Sequence, residues 1–387
     1  MDLMEYKAKE LFGQYGLPIG EQVVVRDLQQ LPQAKELRFP LMVKAQVPVG
    51  GRGKAGGIQP AANEQELEQH AARILGMDIK GHTVKTLLLT RLVDIDSEWY
   101  LSILLDRDSK RPVIIFSSQG GMDIEDVARR NPRAISRLMI RSDIGLRKYG
   151  AQYLLNKQGI DSAYLPAFWE LLQKLYRLFC AYDCTLCEIN PVGVLAGGKL
   201  AAVDAKVSID DSALYRHADI LAFRDEMEND ANVLEARKFN FLYIPCDARG
   251  SIAVISNGSG MIMSCIDLLA KNGLNVKAAL DLGGGATADR ICEAVRIVLS
   301  NSDIKALFIN IFGGITRCDE VAGGIRRYVE EYDTGKIIVA RFEGTNKSQG
   351  IEVMEQLGKD YILFADGLYE GVQVLVERRD TIREYFG

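Results

Sequence analysis

Histidine is scarce in this chain, with three residues in 387. His70 lies in a charged helical stretch, His82 follows Lys80-Gly81, and His217 follows Tyr215-Arg216. None sits in a glycine-rich phosphate motif, so each reads as an exposed polar residue, not a nucleophile. Long apolar runs are also missing. No stretch approaches the roughly 18 apolar residues of a membrane helix. The first seven residues, Met1 to Lys7, carry Asp2 and Glu5 and no apolar run, which is unlike a secretory leader. The cytoplasm is therefore the expected compartment. An excess of basic residues is absent too. The net charge of −5 argues against nucleic-acid binding, although a local basic pocket for phosphates stays open. The seven cysteines, an odd number, have no disulfide-framework spacing. Cys180, Cys184 and Cys187 do form a C-x3-C-x2-C run, but Cys180 ends an amphipathic helical stretch and Cys187 begins a strand-like one. A thiolate cluster needs one loop wrapped around the metal, so these cysteines read as small apolar residues.

What is present is length, and a change of pattern along it. A single core rarely grows past about 250–300 residues, so 387 predict two domains. A helix is predicted from Glu5 to Tyr15, stopped by Gly16 and Pro18. Strand-like runs follow at Glu21–Val25 and Pro40–Val47, and strands then alternate with helices to about residue 180. Gly197-Gly198 marks a hairpin between Leu186–Val194 and Leu200–Val207. The charged, weakly apolar stretch Ala218–Asn240 reads as a helical connector. Beyond it, five apolar strand-like runs (Ser251–Ser256, Val276–Leu280, Ala306–Ile311, Ile337–Arg341 and Tyr361–Phe364) alternate with helices. That alternation implies βαβ crossovers and a parallel sheet buried on both faces. Five such strands suggest a flavodoxin-like, doubly wound domain. The expected division is 1–235 and 236–387, both of α/β class.

The densest chemical signal runs from Lys44 to Gly57, where five glycines and three cations fall within fourteen residues. Glycines let backbone N–H groups approach phosphate oxygens, and Lys44, Arg52 and Lys54 supply neutralising charge. This is not a Walker A loop, because Ala55 follows Gly53-Lys54 and Pro48 stands where the first glycine would be. On composition alone it could also be a flexible basic loop. Two further segments bear on the choice. Glu98 opens a strand-like run, and Cys187-Glu188-Ile189-Asn190-Pro191-Val192 pairs through the glycine turn with Val203-Asp204-Ala205-Lys206. A three-residue loop, Ala196–Gly198, sets Asn190 opposite Asp204 and Glu188 opposite Lys206. A two-residue loop would put each pair on opposite faces. The first register joins an amide and a carboxylate, the oxygen ligands that Mg²⁺ on nucleotide phosphates prefers. The bland alternative is an ordinary solvated Asn/Asp face.

In order and spacing, Lys44, the Gly50–Gly57 loop, Glu98, Glu188-Ile189-Asn190-Pro191 and Asp204-Ala205-Lys206 resemble the ATP-grasp half of succinate–CoA ligase β subunits. The likeness continues through Asn257-Gly258-Ser259-Gly260, Asp281–Ala286, Asn310–Ile315 and Arg341–Asn346, and so covers essentially the whole chain. It implies an N-terminal ATP-grasp domain followed by a flavodoxin-like CoA-ligase domain. It also implies roles at matching positions. Lys44, Gly51, Arg52 and Gly53 would bind nucleotide phosphates, and Glu98 would contact the nucleotide. Asn190 and Asp204 would hold Mg²⁺. Glu188 would face a phosphorylated histidine on an α subunit, which also carries most of the CoA site. Asn257, Gly313, Gly314 and Ile315 would line the carboxylate and phosphate site.

The activity implied is reversible: a nucleoside triphosphate, a dicarboxylate and CoA give acyl-CoA, nucleoside diphosphate and phosphate, in an αβ complex or its dimer. The scarcity of histidine fits a relay histidine on another chain. Thr90 stands where many relatives carry a glutamate on the base side, Ile19-Gly20 replaces a second proline, and Gln119 replaces a glutamate before Gly120-Gly121. ATP and GTP therefore both remain candidates. A malate–CoA ligase subunit of the same family and a self-sufficient ATP-grasp carboxylate–amine ligase are the alternatives. The third Rossmann glycine after Gly258-Ser259-Gly260 is replaced by Met263, which argues against NAD.

Overall fold

The computed structural model describes residues 1–332 and 334–384. The chain forms two compact units that divide between Ala222 and Phe223.

In the first unit, helix α1 (Glu5–Gln14) buries Tyr6, Ala8, Leu11 and Phe12. It stops at Gly16, whose φ of 69° suits glycine. Strands β1 (Gln22–Val25), β2 (Leu41–Ala45), β3 (Ile58–Ala61) and β4 (Leu87–Arg91) form an antiparallel sheet in the order β1-β4-β2-β3. Helix α2 (Glu64–Ile74) packs on β2 and β3 through Leu67, Ala71 and Ile74. Its start is fixed by the Asn63 side chain, which accepts from the Glu66 N–H.

The second sheet of this unit contains β5 (Ser97–Asp106), β6 (Arg111–Ser117), β7 (Ser136–Met139), β8 (Cys184–Leu195), β9 (Lys199–Ala202) and β10 (Lys206–Ile209). Its order is β9-β8-β5-β6-β7, with β10 also paired to β8. Helix α3 (Leu165–Ala181) lies on β8 and buries Phe168, Leu171, Leu172, Leu175, Leu178 and Phe179, a 3.6-residue stripe. Cys184 and Cys187 are buried in β8. The hairpin turn is Ala196–Gly198, and Val194 pairs with Leu200, the three-residue register. The same register continues where Glu188 pairs with Lys206. Between these two ladders Asn190 and Asp204 fall in an unpaired gap, and β8 also shifts register against β5 between Ile189 and Val192. A gap in a ladder frees side chains to point into a site instead of along the sheet.

In the second unit, strands β11 (Leu242–Pro245), β12 (Ile252–Ser256), β13 (Val276–Asp281), β14 (Ala306–Gly313), β15 (Ile337–Gly344) and β16 (Ile362–Phe364) form one sheet. The order is β11-β13-β12-β14-β15-β16. The last five are parallel and run in the 2-1-3-4-5 order of a flavodoxin-like sheet. On β14, Leu307, Ile309 and Ile311 join one core cluster while Ala306 and Phe308 join the other, so both faces are covered.

Three expectations change. Strand β11 is a sixth strand, antiparallel at the edge. The connector stretch also yields a helix, α4 (Ala231–Lys238), that packs on β11, so part of it belongs to the unit's own structure. Finally, His217 is not an exposed side chain. It is 11% exposed, its Nε2 lies 2.9 Å from Asp183, and its ring stacks on Tyr182 at 5.0 Å.

Candidate functional site

Four pieces of the first unit converge: the start of α1, the end of β2 with its glycine loop, β8, and the turn between β9 and β10. They enclose a solvent-open cavity of about 270 Å³, lined by Glu5, Val47–Gly50, Arg52, Glu188, Asn190 and Asp204–Lys206 among others. That size is at the lower edge of the roughly 300–1,000 Å³ of small-molecule sites.

Its floor is a charge cluster built around Glu5. The carboxylate is 2% exposed and meets Lys44 at 2.7 Å, Arg52 at 2.8 Å and Lys9 at 3.2 Å. Burial raises the Glu5 carboxyl, but Lys44, Lys9 and Arg52 outweigh it and hold the group well below the usual carboxylate range. Lys44 also reaches the Val203 carbonyl at 3.4 Å, and Arg52 reaches the Ala45 carbonyl at 3.2 Å and Asp204 at 3.5 Å. Burial lowers Lys44, and Asp204 and Glu5 more than restore it, so its ammonium stays charged. Burial and the adjacent Glu5 carboxylate push Asp204 up to about 6.

The strand β8 side chains have separate supports. Glu188 accepts from the Tyr100 hydroxyl at 3.0 Å. Burial first and then the Glu188 carboxylate push that phenol upward, so Tyr100 stays a donor. Asn190 accepts from the Gly121 N–H at 2.9 Å and donates to the Met122 carbonyl at 3.0 Å. An amide oxygen has a second lone pair, so Oδ1 keeps acceptor capacity.

Chemically, the cavity offers the buried Lys44, the half-buried Arg52, a glycine-rich loop and two hard oxygen donors. That combination suits a polyphosphate carrying a divalent ion. A magnesium ion that keeps several waters needs one or two protein oxygens besides the phosphates, and the Asn190 amide with the Asp204 carboxylate fits that demand.

The sequence-predicted residues are distributed as follows. Arg52, Glu188, Asn190 and Asp204 line one cavity, and Lys44 joins it through Glu5. Gly51 and Gly53 lie in the same loop. Ala55 N–H donates to the Gly51 carbonyl and Gly56 N–H to the Gly53 carbonyl. Glu98 is exposed at the start of β5, outside the cavity. Its carbonyl accepts from the Gly120 N–H, and its carboxylate lies where a Gly121 Cβ would stand. Thr90 is buried in β4 opposite Gln22 and Met42, also outside the cavity.

Sequence reasoning passed over Glu5, Lys9 and Tyr100. A signal for the first two was present: Glu5 and Lys9 are four apart on the same α1 stripe as Ala8 and Phe12. A charge pair on a core-facing stripe is an anomaly that points to burial with partners.

At the carboxyl end of the second unit's sheet, the Asn257 amide donates to the Phe312 carbonyl at 2.8 Å and accepts from the Phe312 N–H at 3.0 Å. It thereby clamps the loop that carries Gly313, Gly314 and Ile315. Gly313 is needed by packing, since a Cβ would come within 2.9 Å of the Glu343 carbonyl and the Thr345 nitrogen. Ile315 is 85% exposed. Arg341 lies below, 3.5 Å from both Asn310 and Glu343. Thr316 ties this loop to the 283–285 turn by accepting from Gly285 N–H and donating to the Gly283 carbonyl.

The family described as ATP-grasp domain matches residues 2–194, and the one described as CoA-ligase matches residues 255–363. The chain is 40% identical to the succinate–CoA ligase [ADP-forming] subunit β of Rubrobacter xylanophilus, over 97% of this chain and 98% of that protein. It is also 40% identical to the succinate–CoA ligase [GDP-forming] subunit β of Thermus thermophilus, over 92% of this chain and 93% of that one. Among solved structures, the ATP citrate lyase of Methanothrix soehngenii in complex with citrate and coenzyme A shares the fold, with a TM-score of 0.78 and 18% identity. That match covers 97% of this chain and 99% of that one.

Proposed function

We propose, for a chain that belongs to the succinate–CoA ligase β-subunit family, that it is the nucleotide-binding subunit of a succinate–CoA ligase. The observation that carries the proposal is the meeting of Arg52, Glu188, Asn190 and Asp204 in one cavity, with Lys44 beneath it.

In this reading a purine nucleoside triphosphate lies along the glycine loop. Lys44 and Arg52 neutralise its phosphates, and backbone N–H groups around Gly51 and Gly53 approach the phosphate oxygens. Asn190 and Asp204 hold magnesium, which supplies charge neutralisation to the transferring phosphoryl group. Glu98 and Thr90 serve the nucleoside end, away from the phosphate-binding cavity. Glu188, held by Tyr100, orients a histidine of a partner α subunit that takes the phosphoryl group from the nucleotide. Carboxylates commonly fix an imidazole in the needed tautomer in this way. At the second unit, Asn257 fixes the Gly313-Gly314-Ile315 loop, whose backbone N–H groups receive the carboxylate and phosphate. The partner supplies the histidine and most of the CoA site. Acyl phosphate formation and thiol attack then complete an exchange that runs in either direction. The seven free cysteines suit a reducing compartment, and we place the protein in the cytoplasm.

Succinate is preferred over malate because the relatives above are named for succinate. The test is the chain co-purified with its α partner, given CoA and Mg-ATP or Mg-GTP, with succinate, malate or citrate in turn. The expected result is thioester formation with succinate at least about tenfold above malate in kcat/KM. Equal or greater activity with malate overturns the substrate assignment. Amide formation by the isolated chain with an amine would point to the carboxylate–amine ligase instead.

A further inference from the structure

The cations that would meet a polyphosphate already have an anion. Glu5 is 2% exposed, sits at the first turn of α1, and holds Lys44 from β2 at 2.7 Å and Arg52 from the glycine loop at 2.8 Å. Its third partner, Lys9, is 3% exposed and does not line the cavity. Burying three cations without an anion would be costly, so something must neutralise them when no ligand is bound. Glu5 meets that need from inside the chain. Arg52 is the most accessible member of the set. It belongs to a loop with Gly51 and Gly56 in left-handed conformations, its side chain is 16% exposed, and it also reaches Asp204 at 3.5 Å.

We propose that Glu5 is a positioning residue that acts as an internal counter-ion. It keeps Lys44 and Arg52 in place in the nucleotide-free chain and yields them to the polyphosphate on binding. This rests on the reading of the cavity as a nucleotide site and deepens it. Glu5 and the phosphates then compete for the same two cations. The competition sets the affinity low enough for nucleotide to leave after transfer, and it spares the empty site from unpaired buried charge. Lys9 is the counterweight: by occupying part of the Glu5 carboxylate it weakens that group's hold on the other two. Two substitutions therefore have opposite signs. Removing the Glu5 charge tightens nucleotide binding, and removing the Lys9 charge loosens it.

The experiment is calorimetric titration of Mg-ADP into the full chain co-purified with its partner, as wild type, Glu5→Gln, Glu5→Asp and Lys9→Met. Glu5→Gln is expected to bind about 5-fold or more tightly than wild type, the low end of ordinary coupling between competing sites. Its thermal midpoint without nucleotide falls, and Mg-ADP raises that midpoint by more than it does in wild type. Glu5→Asp, which keeps the charge, stays close to wild type. Lys9→Met binds more weakly. Unchanged or weaker binding in Glu5→Gln overturns the proposal, because a merely structural carboxylate would give that result. If Glu5→Gln does not fold, Lys9→Met still decides, and unchanged or tighter binding there overturns it. Failure of wild type itself to bind Mg-ADP would instead overturn the nucleotide reading of the cavity.

Discussion

An Asp204→Ala chain, assembled with its partner, is expected to lose at least about 100-fold in kcat/KM for Mg-ATP, and the magnesium concentration needed for half-maximal rate is expected to rise. The size follows from the chemistry proposed. A metal ion on a transferring phosphoryl group stabilises developing charge by several kcal/mol, and each ~1.4 kcal/mol is a factor of ten in rate. The fold should tolerate the change. Asp204 lies in the gap between the two ladders of the hairpin, outside the strand pairing; its carboxylate accepts from its neighbour's N–H and, at 3.5 Å, from Arg52, and it also interacts with Glu5 and Lys44. Unchanged circular dichroism and intact assembly with the partner would confirm that the loss is local. A variant that keeps full activity, with an unaltered magnesium requirement, would remove Asp204 from the metal site. Asn190→Ala makes a poorer probe, because that amide also fixes the backbone of Gly121 and Met122.

Glu188→Gln separates nucleotide binding from transfer. The amide keeps the shape and can still accept from the Tyr100 hydroxyl, which stands 3.0 Å from the carboxylate. It lacks the charge that would orient and stabilise a partner imidazolium. Mg-ADP affinity is expected to stay within about twofold, while phosphorylation of the partner slows about 100-fold, the scale of a lost acid–base contact. The measurement is quench-flow labelling of the complex with γ-labelled ATP, with calorimetry on the same preparation. Loss of binding together with transfer would instead put Glu188 in the nucleotide site.

How much of this was legible in the sequence depends on the kind of signal. The second unit's five parallel strands announce themselves as apolar runs between amphipathic helices, because a strand covered on both faces has no polar positions to blur it. The edge strand Leu242–Pro245 does not. It is short, is exposed at both ends, and closes on a proline that an edge tolerates. Strands β14 and β15 also run on to Gly313 and Gly344, past the expected ends at Ile311 and Arg341. A pairing of two glycines carries no strand signal in composition, yet a Cβ on Gly344 would come within 2.1 Å of the Gly313 carbonyl.

For the site, the hairpin arithmetic was informative, since Glu188 pairs with Lys206 as the three-residue turn requires. That same arithmetic set Asn190 against Asp204, and both do line the cavity, but through a break in the ladder and not a continuous pair. The Glu5 cluster was hidden because its members are 39 and 47 residues apart from their partners. Long-range ion pairs have no periodicity to read. The i, i+4 pair of Glu5 and Lys9 on a buried stripe was the available clue.

The central claim is that this chain binds the nucleotide and hands its phosphoryl group to a histidine elsewhere. The most direct measurement incubates the full chain with γ-labelled ATP and magnesium, with and without its α partner, and maps acid-labile, base-stable label by mass spectrometry. Stoichiometric label on a partner histidine, dependent on Arg52 and Asp204, is the expected result. Stable label on His70, His82 or His217 of this chain, or no label on the partner at saturating nucleotide, would contradict the account.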